Sequence, residues 1–142
     1  MSVYAHRAVD LPVKKVFVVV PNGPSHTAAM VIPITTVGPD QVVLGANDVL
    51  LVEWVYCVAD LVTPAIAFCR GGCAVQGGSP PVLASSNGWT STLYYANGGG
   101  YPSDGNIDGN GDLECRIAGI SGSSNPAEGF FEIVRCEVLS LQ

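Results

Sequence analysis

The sequence predicts an all-β fold, and three observations carry that prediction. The 17 glycines and 10 prolines are spread along the 142 residues, so few stretches are long enough for an uninterrupted helix. Asn-Gly pairs recur along the chain, and they supply the positive backbone φ angles of tight hairpin turns. Short runs rich in Val, Ile, Thr, Tyr and Phe lie between the turns, as in β-strands. We therefore expect a single antiparallel β-sandwich of about eight strands, with a jelly-roll topology favoured over an immunoglobulin-like one.

The strand segments are predicted from these runs and from the turns that bound them. The two segments on either side of Arg70-Gly71-Gly72 read as a hairpin, and Pro33 indicates an edge strand or a bulge. In chain order, the predicted segments are 14–20, 28–36, 41–44, 49–59, 64–69, 73–76, 90–96, 113–120 and 130–141.

Two regions differ from the strand pattern. Residues 1–13 hold no core-like run, and we interpret them as an extended N-terminal arm that precedes a sandwich domain over residues 14–142. Residues 97–112 form a polar segment rich in Gly, Asn and Asp, which predicts a long loop. A chain of 142 residues fits one domain of ordinary size.

The composition argues against several classes of partner. Charged residues make up only 13% of the chain, about half the usual fraction of roughly 25%. The net charge of −6 disfavours binding to nucleic acid or to an acidic membrane surface, since both require clustered cations. The first residues do not resemble a secretory signal, and the longest apolar run, 49–59, is too short to cross a bilayer. We expect a protein that is made in a cytosol and either stays there or leaves within a larger assembly.

Several predicted strands are apolar on both faces. In 49–59, one alternating set contains Trp54, and the other set is interrupted only by Glu53. Segments 14–20 and 28–34 show the same character. Because soluble monomers rarely expose large apolar surfaces, this pattern favours burial of the outer faces against other subunits. The alternative is that the arm or the loops cover these faces within one chain.

Part of the polar segment resembles the first half of a calcium-binding loop. Asp104, Asn106, Asp108 and Gly109 match the positions that supply oxygen ligands and the sharp turn in such a loop. The match fails at its twelfth position, which is Cys115 instead of glutamate, and at its eighth, which is a glycine. The segment Asp104–Asp112 is also typical of an ordinary solvated loop, so both readings stay open.

The cysteines allow three readings. Cys69 and Cys73 flank the predicted turn, where they could form a disulfide, bind a soft metal or pack as two thiols. Packed thiols are the default in a cytosolic chain. Cys115 and Cys136 fall on apolar faces of their strands and are predicted to lie in the core. The chain has five cysteines in all, at positions 57, 69, 73, 115 and 136.

No catalytic motif is recognisable, so the prediction is a protein that is not an enzyme and needs no cofactor. His6 and His26 lie in the arm and beside a Pro-Ser turn, with no serine or acid at a suggestive spacing. An aromatic platform for sugars is the alternative function. Trp89, Tyr95 and Tyr101 are its candidates, because they lie near predicted loops. Tyr94 belongs to the same group, whereas Trp54 is predicted to lie in the core.

In overall character the chain resembles the small cement, or decoration, proteins of tailed-bacteriophage capsids. The shared features are a short chain with no signal, an arm from Ser2 to Leu11, a Gly/Ser/Thr/Asn-rich β body, low charge and strands apolar on both faces. The resemblance implies homotrimers on the outer surface of the virion that clamp neighbouring copies of the major capsid protein. It also implies synthesis in the host cytoplasm and no contact with nucleic acid or membrane. A carbohydrate-binding or adhesion module of a phage tail is the alternative.

Overall fold

The protein is built from antiparallel strands. A computed structural model describes residues 4–20, 26–60, 66–84, 89–95, 103–118 and 127–141. Those residues form no helix, and therefore include no helix that could cross a membrane. The strands are β1 (Tyr4–Ala8), β2 (Lys15–Val20), β3 (His26–Ile32), β4 (Asp48–Asp60), β5 (Ile66–Gln76), β6 (Val82–Leu83), β7 (Trp89–Tyr95), β8 (Ser103–Ile107), β9 (Leu113–Ala118) and β10 (Ala127–Leu141).

The larger sheet contains seven strands arranged around a central pair, β4 and β10. β5 lies on the other side of β4. β1 and β2 lie end to end along the free side of β10, opposite residues 137–141 and 127–132. β6 and β7 lie end to end along β5 in the same way. The result is a broad sheet, five strands across, in which every pairing is antiparallel.

The smaller sheet has the order β3–β9–β8, and it shares one hydrophobic core with the larger sheet. Alternate residues of β4 point into this core, because successive side chains of a strand point to opposite faces. Leu50, Val52 and Trp54 are fully buried on that side. The ring of Trp54 stacks on Phe131 of β10 with 5.8 Å between centroids. The predicted all-β class is confirmed, as is the core position of Trp54.

The strand number differs from the prediction. The described residues form ten strands, where about eight were expected, and β4 to β7 all belong to one sheet. Residues 41–44 form no strand, and the second predicted segment ends at Ile32, just before Pro33. The predicted loop 97–112 contains strand β8, which pairs with β9 through Gly105 and Cys115.

The predicted hairpin around Arg70-Gly71-Gly72 is wrong, because β5 runs straight through these residues. Gly71 lies opposite Trp54 in the ladder between β4 and β5. A Cβ added to Gly71 would lie 2.4 Å from Nε1 of Trp54, so the missing side chain makes room for the indole. Gly71 serves close packing inside a strand, and the glycine pair forms no turn.

The N-terminal segment is attached to the sheet along residues 4–13. β1 pairs with the last residues of β10, and the amide of Val9 donates to the carbonyl of Cys136 at 2.9 Å. Arg7 donates to the carbonyl oxygen of Val43 at 3.2 Å, and Leu11 is buried in the core. The sequence pattern suggested a free arm because the side chains of residues 5–8 are exposed and show no apolar periodicity.

Candidate functional site

The face of the larger sheet that is turned away from the smaller sheet is the candidate functional surface, and we call it the outer face. On β4 it carries Val49, Leu51, Glu53, Val55 and Cys57, all of which are half-buried within one chain. Neighbouring side chains on the same sheet provide this partial cover. The described residues place no second layer over them.

A chain of four charged side chains and one histidine crosses the outer face, and we call it the charged ladder. His6 lies 3.2 Å from Glu137, and Arg135 donates to the same carboxylate through Nε at 2.8 Å and its terminal nitrogen at 2.7 Å. Glu53 lies 3.7 Å from Arg135 and 3.6 Å from Arg70. The ladder therefore links β1, β10, β4 and β5 through five residues, of which only Arg135 and Glu137 are close in sequence.

A β-bulge in β10 brings Arg135 into the ladder. Ile133 lies opposite Trp54 and Arg135 lies opposite Glu53, so Val134 is an extra residue in the strand. Strict alternation from buried Phe131 and Ile133 would turn Arg135 into the core. The bulge turns the guanidinium to the outer face and returns Cys136 to the core, where it was predicted.

The paired charges of the ladder shift each other's ionisation. The hydrogen bonds from Arg135, with a smaller contribution from His6, lower the pKa of Glu137 against the opposing effect of burial. Glu137 in turn raises the pKa of Arg135. Both groups therefore stay ionised, and their charges largely compensate each other. Such a surface can meet another protein with less desolvation cost than isolated charges would impose.

Apolar side chains flank the ladder and are less well covered. Phe17 of β2 is 88% exposed, and Val134 at the bulge is 50% exposed. Phe130 of β10 lies opposite Phe17 in the pairing of β2 with β10. The ammonium group of Lys15 lies 4.3 Å from the centre of the Phe130 ring. The outer face combines apolar area with internally paired charges, which suits contact with another protein.

The calcium-like segment has a different geometry from a calcium loop. Asp104 and Asn106 lie in extended strand β8, which separates Asp104 from Ile107 by roughly 10 Å, and Asp108 follows the end of the strand. The side-chain amide of Asn106 donates to Glu114 at 3.0 Å, and Asp108 accepts the amides of Asn110 and Asp112. Across the described part of the chain, no three His, Cys, Asp or Glu side chains converge as a metal site.

Asp112 is the one charged side chain that the structure buries among the described residues. Its Oδ1 accepts the backbone amides of Ile34, Thr35 and Thr36 at 2.9, 2.9 and 3.0 Å, and its Oδ2 accepts the hydroxyl of Thr36. Burial raises the pKa of this carboxyl, but the hydrogen bonds from the hydroxyl and the three amides outweigh it and hold the pKa at about 2. Asp112 thus ties the β8–β9 turn to the 34–36 segment.

A disulfide between Cys69 and Cys73, one of the three readings of these cysteines, does not fit the strand geometry. Both residues lie on β5, four positions and roughly 13 Å apart, which exceeds the span of a disulfide. Cys73, Cys115 and Cys136 are buried thiols that form no disulfide, and a Cβ at Gly105 would lie 2.9 Å from the sulfur of Cys73. Burial raises the pKa of Cys115, and also that of Cys136 to about 11, so both stay protonated and unreactive.

The structure describes the side chains of only some of the aromatic and histidine residues singled out in the sequence. Trp89, Tyr94 and Tyr95 lie in β7, but their side chains, like Tyr101, fall outside the described residues. His26 begins β3, and its side chain also falls outside them. His6 is described and belongs to the charged ladder. Sequence reasoning missed the ladder, because its members become neighbours only through the strand order.

Comparisons with known proteins give no indication of the function. No protein-family model matches the chain, and no curated protein or solved structure matches it.

Proposed function

We propose that the chain is a non-enzymatic structural protein of a virion, a capsid decoration protein that self-associates and binds the major capsid protein of a phage head. The observation that carries the proposal is the outer face of the larger sheet. It is broad and holds apolar side chains without a covering layer among the described residues, with Phe17 at its margin almost fully exposed. The general resemblance to decoration proteins supplies the setting.

The physical argument concerns what such a surface gains by contact. Burial of apolar surface contributes about 25 cal/mol per Å², so a sheet face of this breadth can supply a stable protein interface. The charged ladder crosses the middle of the face, and its members pair with one another. Compensated charges of this kind give orientation and specificity, while the flanking apolar residues supply affinity.

The described part of the N-terminal segment has a narrower role in this proposal than the resemblance implies. β1 pairs with β10 of its own chain, and Leu11 packs in its own core. The clamp between capsid subunits would therefore use the outer face, with β1 as part of that face, instead of a long arm that reaches to a neighbour.

The proposal is tested by adding the purified chain to phage heads assembled without it and measuring co-sedimentation. We expect saturable binding to the heads that Glu53→Arg reduces, because this variant places a third arginine beside Arg70 and Arg135 and leaves the ladder unbalanced. Asp40→Arg, at an exposed position in a loop, is the matched control and should bind normally. Failure of the wild-type chain to bind any such head would contradict the decoration role.

A further inference from the structure

Within the described part of the chain, the strand β2 has one open edge. It pairs with β10 on one side, and no described strand pairs with it on the other. The amide of Ile133 donates to the carbonyl of Lys14 at 2.7 Å, so residue 14 points its backbone groups towards β10. Backbone groups alternate along a strand. Lys15, Phe17 and Val19 therefore point their amide and carbonyl groups towards the open edge.

This edge lacks most of the features that keep edge strands from pairing. The strand reads Lys-Val-Phe-Val-Val-Val, with no proline and a single charge at its first residue. Natural edges are usually protected by charges, prolines or bulges. Phe17 is 88% exposed in the middle of the strand. Unpaired backbone groups and an exposed aromatic side chain thus occur at the same place.

We propose that β2 pairs antiparallel with β2 of a second copy of the chain, about a twofold axis at Phe17. The larger sheets of the two copies then join into one continuous sheet. The inference rests on the self-association in the proposed function and names the surface that performs it. An interface that uses the same patch on both copies closes as a dimer. The resulting assembly is twofold, in place of the trimer that the family resemblance implies.

The register about this axis satisfies the outward-pointing backbone groups. Phe17 lies opposite the partner's Phe17, and Lys15 lies opposite the partner's Val19. All of these residues point their backbone groups to the open edge, so each opposed pair exchanges both of its hydrogen bonds. The two phenylalanine rings meet as a cross-strand aromatic pair, which adds to the stability of an antiparallel ladder.

The same register is complementary in charge. Within one chain, Val19 lies opposite Glu128 of β10, and Glu128 is exposed on the outer face. Antiparallel pairing therefore places Lys15 two strand spacings, roughly 10 Å, from the partner's Glu128, and the twofold axis repeats this attraction between opposite charges. A parallel arrangement would instead place Lys15 against the partner's Lys15. The charges thus favour a second copy in the antiparallel orientation.

The first test compares Phe17→Lys with Val37→Lys. Val37 is 87% exposed and lies in a loop outside β2, so its variant adds the same charge to an equally exposed apolar position. Sedimentation of each variant over a dilution series gives the dissociation constant. We expect Phe17→Lys to weaken the dimer about tenfold or more, because it opposes two lysines at the axis, while Val37→Lys behaves like the wild type. Thermal unfolding confirms that both variants fold.

The second test is a charge reversal that does not change Phe17. Lys15→Glu and Glu128→Lys should each weaken the dimer, and the double variant should recover part of the loss, because the attraction between the two positions returns with its signs exchanged. Thermal unfolding of each variant controls for the loss of the Lys15 contact with Phe130 and of its position opposite Glu132 in its own chain. A double variant no better than the single variants would overturn the proposed register.

The outcomes separate this inference from the proposed function. A dimer that is lost in Phe17→Lys supports the inference. A trimer, or any oligomer unaffected by Phe17→Lys, overturns the inference and leaves the self-association of the proposed function intact. A chain that is monomeric at every concentration overturns both.

Discussion

The inner and outer faces of the larger sheet come from the same strands and have opposite surroundings. On β4, Leu50, Val52 and Trp54 are completely buried, whereas their neighbours Leu51 and Val55 are only half-covered. Both sets of β4 side chains are largely apolar in sequence, but among the described residues only the inner set has a second sheet packed on it. The difference teaches that apolar character on both sides of a strand identifies two candidate interfaces, of which the described residues cover one.

The largest expected effect is at the centre of the inner face. Trp54→Ala removes a fully buried indole that stacks on Phe131, and we expect it to lower the free energy of unfolding by about 3–5 kcal/mol. Leu51→Ala, on the outer face of the same strand, should cost about 1 kcal/mol because its side chain is only half-buried. Denaturant unfolding measures both, and equal losses would contradict the difference between the faces.

Asp112 should give the next largest effect. Asp112→Ala leaves the amides of Ile34, Thr35 and Thr36 without their acceptor, with an expected loss of about 2–3 kcal/mol. Asp112→Asn is the matched variant, because it keeps an acceptor oxygen and loses only the charge. Denaturant unfolding should rank the asparagine variant between the wild type and the alanine variant. An unchanged free energy of unfolding in Asp112→Ala would show that the hydrogen bonds of Asp112 do not stabilise the fold.

The same carboxylate predicts a pH dependence. Its pKa is lowered in the folded protein from 3.8 to about 2, so the folded state favours the ionised form. The stability that this group contributes is present above pH 3.8 and is lost as the pH falls towards 2. The difference in unfolding free energy between the wild type and Asp112→Asn should therefore shrink across this interval. A constant difference would contradict the lowered pKa.

A smaller effect on stability is expected at Gly71 of β5, which lies opposite Trp54. Gly71→Ala places a methyl group against the indole of Trp54, and we expect a loss of about 1–3 kcal/mol from overpacking. Gly38→Ala is the control, since an added Cβ there meets no atom within 4 Å. Denaturant midpoints of the two variants should differ clearly. Equal midpoints would show that the indole moves aside at no cost.

The smallest effect on folding is expected in the charged ladder. Glu53→Gln removes one charge between Arg70 and Arg135, but these ion pairs lie at the surface and their distances of 3.6 and 3.7 Å are long. We expect an unfolding midpoint close to that of the wild type, with any difference reduced by added salt. A large, salt-independent loss would show that the ladder holds the sheet together.

Much of the fold could be predicted from the sequence, because alternation and turn residues are local signals. The β4 and β9 segments and the buried positions of Trp54, Cys115 and Cys136 follow from such patterns. Strand β8 was missed because its sequence, Ser-Asp-Gly-Asn-Ile, is polar and has low strand propensity. It forms a strand because it pairs with β9 and packs through Gly105 against Cys73.

The candidate site was harder to predict than the core, for reasons of geometry. Gly71 and Gly72 have the composition of a turn, and only the position of Trp54 on the next strand shows why residue 71 is a glycine. The bulge at Val134 reverses the facing of every residue after it, which no alternation rule anticipates. The ladder then depends on four strands whose order the sequence does not encode locally.

The most direct test of the account is the mass of the intact wild-type chain in solution, measured by light scattering over a dilution series. The account predicts reversible self-association, since the described residues of one chain cover neither the outer face nor the open edge of β2. A dimer would support pairing through β2, and a higher oligomer would support burial of the outer face by other copies. A monomer of 14.7 kDa at every concentration would contradict the central claim that these surfaces are covered by further copies of the chain.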